Sequence, residues 1–462
     1  MTKPKVGLLP LYLKLYDDLD DGSRRPKVEE FPRTIAAELT RRGLEVVAAP
    51  VCRIEKEFAA AVKKLEAEKV DALVTLHLAY SPSLESSDVL ARTQLPIIVL
   101  DTTPTWSYAP DQDPDELMYN HGIHGVQDMC NLLLRNGKPF LIEAGHWERS
   151  DVLDRISALA VPARMAAAMR SGRVGILGTA FKGMGDFYVP AAKIRSTIGA
   201  VVKSLDRETL HKLVAGLKQK DVDTEVASDA RFQKDGVSPE AHVRSVKLGL
   251  AIRRWAKNEE LTALTFNFLN MVKKDGYATA PFLEMSKSME RGIGYAGEGD
   301  TLTALLVGAL SAGFPETSFT EMFCPDWEHN SLFLSHMGEV NPRLLAGAPL
   351  LREMDYHYSA TDNPAFVVGR FRPGKVMLVN LAPIAGGYRL IIAPATMLDV
   401  PGVDRMKDSV RGWFTPPQPV PDFLAAYSRL GGTHHLAVTY ADETKPFERF
   451  GSLMGWDVAV IR

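Results

Sequence analysis

Cysteine is scarce: Cys52, Cys130 and Cys324 are the only three in 462 residues. An odd number, widely spaced, argues against a disulfide framework and against a structural zinc site. It fits a reducing, cytoplasmic setting. Cys324 lies nearest the residues singled out below, and a plain packed thiol is expected there. Neither sign of charge dominates: 54 Lys and Arg face 57 Asp and Glu, for a net charge of −3. That balance gives no support for a nucleic-acid or membrane-surface partner. No apolar run is long enough to cross a bilayer. The opening "MTKPKVGLLPLYLKLYDDLDDG" has a short apolar run but soon reaches acids, so it reads as a buried first strand rather than a signal peptide. There is no internal repeat, no low-complexity segment and no H-E-x-x-H motif. The glycines of "SGRVGILGTAFKGMGDF" lack the G-x-G-x-x-G spacing of a dinucleotide site.

What is present is ordinary globular material, 46% hydrophobic and 24% charged, in a chain too long for one core. The first third alternates strand and helix signals. "KVGLLPLYL", "LEVVAAPVC", "DALVTLHLAYSP" and "LPIIVLDTTP" read as strands, and "FPRTIAAELTRRG" and "EKEFAAAVKKLEAEKV" as helices. Such alternation implies a parallel sheet with helices on both faces. Ligands of such sheets gather at the carboxyl ends of strands, here near Tyr12, Lys14, His77 and Asp101. A second α/β unit begins near "SGRVGILG" and includes the helical "SPEAHVRSVKLGLAIRRWAKNE" and the strand "LTALTFNF". From about residue 311 the pattern changes. "FVVGRFRPGKVMLVNLAPIAGGYRLIIAPATML" is strand after strand, which predicts antiparallel β structure, a barrel or a sandwich.

Four places carry side chains that suit a hard metal ion. Glu298 stands between two glycines in "GIGYAGEGD", where a surface turn is the simpler reading. Glu321 lies in "TSFTEMF", His336 closes "SLFLSHMGEV", and His434 and His435 stand together in "GGTHHLAVTYA". Oxygen and imidazole donors with open positions suit Mn²⁺, Mg²⁺ or Co²⁺ better than a thiophilic metal. Two carboxylates flanking the same carbons can move a proton between them.

In order and spacing, "GIGYAGEGD…TSFTEM…SLFLSHMGEV…GGTHHLAVTYA" resembles the L-arabinose isomerase family, within the wider arabinose/fucose isomerase group. Weaker matches in register, "LVTLHLAYSPS", "NHGIHGVQD", "IEAGHWER" and "FKGMGDFYV", extend the resemblance over almost the whole chain. The resemblance implies Glu298, Glu321, His336 and His435 as ligands of Mn²⁺, with Co²⁺ or Mg²⁺ as substitutes. It implies Glu298 and Glu321 as the acid–base pair of an aldose–ketose isomerisation through a cis-enediol. It places His124, Met184, Tyr12, His77 and His434 around a sugar. It also implies a homotrimer or homohexamer with the pocket shared between subunits, to which His124 reaches from a neighbour. The fold implied is α/β: two doubly wound parallel-sheet domains, 1–172 and 173–310, then a C-terminal antiparallel β-barrel-like domain, 311–462, completing the metal site.

Two stretches depart from the family pattern. "EMFCPDWEHNSLFLSH" differs between Glu321 and His336. "GLLPLYLKLYDD" is unlike the usual first strand, which contributes sugar contacts. The metal centre is therefore expected to be retained and the sugar-recognition surface changed. L-Arabinose, another pentose, a hexose or deoxysugar, and a branched sugar all remain open. A sugar epimerase and a non-catalytic sugar-binding protein are the alternatives to an isomerase.

Overall fold

The computed structural model describes residues 3–462. The chain forms two compact units, one of residues 1–167 with 449–455 and one of 168–448 with 456–462. No described helix is long and apolar enough to cross a membrane.

The first unit is a five-stranded parallel sheet. Its strands are β1 (Lys5–Leu11), β2 (Glu45–Ala48), β3 (Ala72–His77), β4 (Ile97–Asp101) and β5 (Phe140–Ala144), in the order β2-β1-β3-β4-β5. β1 and β3 are near-continuous apolar runs because helices cover the sheet. Leu9, Leu11, Leu73, Ile97 and Val99 share a core with Phe58, Val62 and Leu65 of helix Glu55–Ala67 and with Met129 and Leu133 of helix Ile123–Arg135. Burying each of these side chains contributes about 1.5–3 kcal/mol. The order reverses at β1, so the crevice between the carboxyl ends of β1 and β3 is the switch point of the sheet. Leu11 pairs with His77 there, and Tyr12 follows directly.

The second unit joins a parallel sheet to a barrel. Its next strands are β6 (Arg173–Leu177), β7 (Val201–Ser204), β8 (Gln233–Lys234), β9 (Ala263–Phe266) and β10 (Gly294–Ala296). Four of them form a parallel sheet in the order β10-β9-β6-β7. The remaining strands are β11 (Thr317–Asp326), β12 (Ser331–Ser335), β13 (Leu350–Glu353), β14 (Ala365–Val368), β15 (Gly374–Ile384), β16 (Gly387–Met397), β17 (Gly412–Thr415), β18 (His435–Thr439) and β19 (Asp457–Val460). The order β15-β18-β11-β12-β17-β16 closes on itself through the β15–β16 hairpin, so the C-terminal β structure is a barrel. β19 adds alongside β16, while β8, β13 and β14 form a small separate sheet.

The second unit also holds a buried charge cluster whose residues, in sequence, look like a solvated helix face. Lys287, 3% exposed, lies between Glu225 Oε1 at 2.7 Å and Asp229 Oδ1 at 2.5 Å. Asp229 also meets His242 Nε2 at 2.8 Å. Arg253 bridges Glu225 and Glu284, and Arg291 pairs with Glu284. The three acids and three cations balance, so no buried charge stands alone. They lock helix Phe282–Glu290, which leads into β10 and the strand end bearing Glu298. Lys287→Met leaves Glu225 and Asp229 short of a counter-charge. It is expected to cost about 3–5 kcal/mol, seen as a lower urea midpoint, with part of the loss recovered when Asp229→Asn is added. An unchanged midpoint would show that the cation compensates nothing.

Candidate metal centre

Glu298 sits just beyond the carboxyl end of β10 with φ +62. Both flanking glycines are required. A Cβ on Gly297 would lie 2.7 Å from His336 Cε1. Gly299 has φ +82, and a Cβ there would lie 2.5 Å from Ala180 Cα. A left-handed glutamate costs about 1–3 kcal/mol and persists only where its surroundings hold it. Here Phe181 N donates to Glu298 O at 2.9 Å, and Asp300 N donates to Gly297 O at 3.0 Å. The stretch is a shaped strand end, and the surface-turn reading does not hold: Glu298 is 12% exposed.

The barrel supplies the other side chains through its register. Glu321 on β11 pairs with His435 on β18 and with Ser335 on β12, and His336 follows Ser335 directly. Directly opposed residues of antiparallel strands share a face. One row of pairing therefore brings together three residues far apart in sequence. His435 Nε2 lies 3.5 Å from Glu298 Oε2 and 3.5 Å from Glu321 Oε1. His434 Nε2 lies 3.4 Å from Glu321 Oε1 and 3.8 Å from Glu298 Oε2. Glu298, His434 and His435 form one group able to hold a cation, and Glu321, His336 and His435 another, each with its donor atoms within 4.8 Å of one another.

The outer nitrogens of all three rings are already committed. His435 Nδ1 meets Asp300 Oδ2 at 2.9 Å, His336 Nδ1 meets Glu339 Oε2 at 2.7 Å, and His434 Nδ1 meets Asp186 Oδ2 at 2.7 Å. Asp300 does double duty, since its Oδ1 caps helix Thr301–Gly313 by accepting from Thr303 N at 2.9 Å. Glu339 is fixed in turn by Tyr295 Oη and by Gly338 N. With Nδ1–H given to a carboxylate, each neutral ring turns an Nε2 lone pair inward. Glu298 Oε2 and His435 Nε2 are buried and have no hydrogen-bond partner. Orphaned donor atoms that face one another are the arrangement a divalent cation satisfies, and the oxygen–nitrogen set fits Mn²⁺, Co²⁺ or Mg²⁺. Phe187 stacks on His435 with centroids 4.9 Å apart, and Phe319 meets the edges of His336 and His435 at 4.6 and 4.9 Å.

The electrostatics follow from these pairs. Burial alone would push the His435 ring down, but Asp300, Glu298 and Glu321 outweigh it and hold the ring up, at about 10. Burial alone would push the Glu298 carboxyl up, but the facing rings of His434, His435 and His336 outweigh it and bring it to about 2. His336 and His434 are also raised against their burial, chiefly by Glu339 and by Glu298 with Asp186 respectively.

The remaining candidates are placed as follows. Met184 lies half-buried in the loop after β6, two residues before Asp186. Tyr12, His77 and His124 belong to the first unit. Tyr12 is 2% and His77 3% exposed, and neither is an open strand-end group. The His77 ring lies under Gly125 of helix Ile123–Arg135, where a Cβ would come within 2.3 Å of Cδ2. Burial lowers that ring to about 3, and neither nitrogen has a partner. His124 is exposed on the first turn of the same helix. Lys14 is tied to Asp18 at 2.5 Å, and the Asp101 carboxyl is raised by burial. Cys324 is exposed, contrary to the packed thiol expected, because β11 leaves regular pairing at a bulge between Met322 and Cys324. Sequence reasoning passed over Asp186, Asp300 and Glu339, although each lies inside a quoted motif. It also passed over His121, whose Nε2 is 2.8 Å from Tyr16 Oη. The available signal was spacing: Asp300 is two residues from Glu298, and Glu339 three from His336.

Residues 316–457 match the family model for the L-arabinose isomerase C-terminal domain. The L-arabinose isomerase of Geobacillus thermodenitrificans is 24% identical over 452 residues, covering 94% of this chain and 90% of that protein. That of Acidothermus cellulolyticus is 25% identical over 401 residues, covering 83% and 78%. That of Erwinia tasmaniensis is 26% identical over 373 residues, covering 76% and 72%. The domain match falls on the barrel, and the similarity to L-arabinose isomerases extends over most of the chain.

Proposed function

We propose that this chain is a metal-dependent aldose–ketose isomerase acting on a small sugar, with Glu298, Glu321, His336 and His435 holding a divalent cation. Mn²⁺ is the first choice, with Co²⁺ or Mg²⁺ as substitutes. The observation that carries the reading is the pair of buried, partnerless atoms Glu298 Oε2 and His435 Nε2, 3.5 Å apart, with Glu321 and His336 beside them. The relatives' name supplies the reaction class and makes L-arabinose one candidate among the sugars. A cytoplasmic homotrimer or homohexamer with a shared pocket belongs to the same reading.

A bound divalent ion supplies Lewis-acid polarisation of the sugar carbonyl. The protein does the rest. Glu298 is held ionised at neutral pH by its histidines, as a base must be. Glu321 lies against the same two imidazole nitrogens. One carboxylate removes the C2 proton and the other serves C1 and the oxygens, through a cis-enediol. Phe187 and Phe319 wall the cluster with apolar rings and limit water.

The reading is tested by giving chelator-stripped protein Mn²⁺ and a panel of aldoses. A Mn²⁺-dependent ketose is expected. Glu298→Gln and Glu321→Gln should each lower turnover by about 10²–10⁴-fold with unchanged circular dichroism. An epimeric aldose, or sugar binding without any product, would contradict it, as would near-normal activity in either variant.

The ion-free protein gives a second check. The His435 ring is raised from 6.5 to about 10, so its stabilisation is fully present below pH 6.5 and is lost as pH rises toward 10. The Glu298 carboxyl is lowered from 4.5 to about 2, so its stabilisation is present above pH 4.5 and is lost as pH falls toward 2. In chelator, the urea midpoint of the wild type should exceed that of His435→Gln by a margin that shrinks between pH 6.5 and 10. A margin that widened over that range would reverse the assigned sign.

A further inference from the structure

The three rings of the cluster are clamped by three carboxylates of different kinds. Asp300 is 0% and Glu339 1% exposed, and both are built into the core. Asp186 is 39% exposed and rides on the loop between β6 and helix Ala191–Thr197, just after Gly183 and Gly185. Its Oδ2 accepts twice from one residue, from His434 N at 2.9 Å and from His434 Nδ1 at 2.7 Å. A single oxygen gripping both the backbone and the ring of one histidine fixes how that ring is turned. The next residue, Phe187, lies over both His434 and His435, so one dipeptide sets two rings.

His434 also differs from its neighbours. Its side chain is 36% exposed, against 0% for His435 and 4% for His336. It stands on the solvent side of the cluster. We propose that Asp186 is a positioning residue, which turns His434 so that Nε2 accepts a hydrogen bond from a sugar hydroxyl while Glu298, Glu321, His336 and His435 hold the ion. The proposal rests on the isomerase reading for the identity of the ligand but not for the geometry of the ring.

The test uses the full chain, with Asp186→Ala, Asp186→Asn, His434→Ala and the double variant Asp186→Ala/His434→Ala. Asp186→Ala should raise KM for the aldose by about tenfold, with the Mn²⁺ dissociation constant within about twofold of wild type. Asp186→Asn, which keeps an acceptor oxygen, should recover most of the loss. The double variant should be no worse than His434→Ala alone, because both changes remove one interaction. The ¹⁵N shifts of the His434 ring, assigned by their loss in His434→Gln, should report an Nδ1–H tautomer in wild type and change in Asp186→Ala. Additive losses, a fall in Mn²⁺ affinity like that of Asp300→Asn, or an unchanged ring signature would each overturn the proposal. A wild type that makes no ketose, with the ring signature moving as stated, would sink the isomerase reading and leave the positioning role standing.

Discussion

Everything at the centre of the second unit depends on one constraint: carboxylate and imidazole lone pairs converge there, and only a proton or a cation between them relieves their repulsion. Each histidine has given its Nδ1 side to a carboxylate, so His434 and His435 point Nε2 at Glu298 and Glu321, and His336 stands beside Glu321. Without a cation, such a cluster must take up protons, which is why His435 is held so high. With a cation, the same geometry becomes a ready ligand set. The surrounding structure serves to keep these atoms close despite their mutual repulsion. The barrel register places Glu321 beside His435. The left-handed strand end places Glu298 against both. Core packing around Asp300 and Glu339 prevents the rings from turning away.

The cost of that arrangement is visible in the backbone. Glu298 is one of only a few non-glycine residues with positive φ among those described. Its two glycines allow the approach of the His336 ring on one side and of the Thr179–Ala180 backbone on the other. The loop after β6 therefore shapes the strand end by hydrogen-bonding it through Phe181, and it reaches the histidine pair through Asp186 and Phe187. One loop thus touches both halves of the cluster, the acid from the parallel sheet and the rings from the barrel.

Much of the architecture was legible in the chain. Alternating apolar runs and amphipathic helices foretold the parallel sheets, and the strand-rich tail foretold antiparallel β structure, a barrel or a sandwich, of which the structure shows the barrel. Periodicity carries this information because burial acts locally, residue by residue. The four proposed ligands were named from motifs, but nothing in spacing alone says that Glu321 lies opposite His435, since register is set by tertiary pairing. The carboxylates that orient the rings were missed for a related reason. Asp300, Glu339 and Asp186 look like turn or surface acids until the histidine beside each is placed in space. His77, a strand-end histidine that suggested a sugar contact, has the glycine face of helix Ile123–Arg135 packed down on it.

The central claim is that the converging donors hold one divalent ion. Its most direct test is a titration of chelator-stripped protein with Mn²⁺, followed by electron paramagnetic resonance of the free ion. The account predicts saturation at one Mn²⁺ per chain, with affinity falling at least tenfold in Glu298→Gln and in His435→Gln. Binding that never saturates, or that is indifferent to both substitutions, would contradict it.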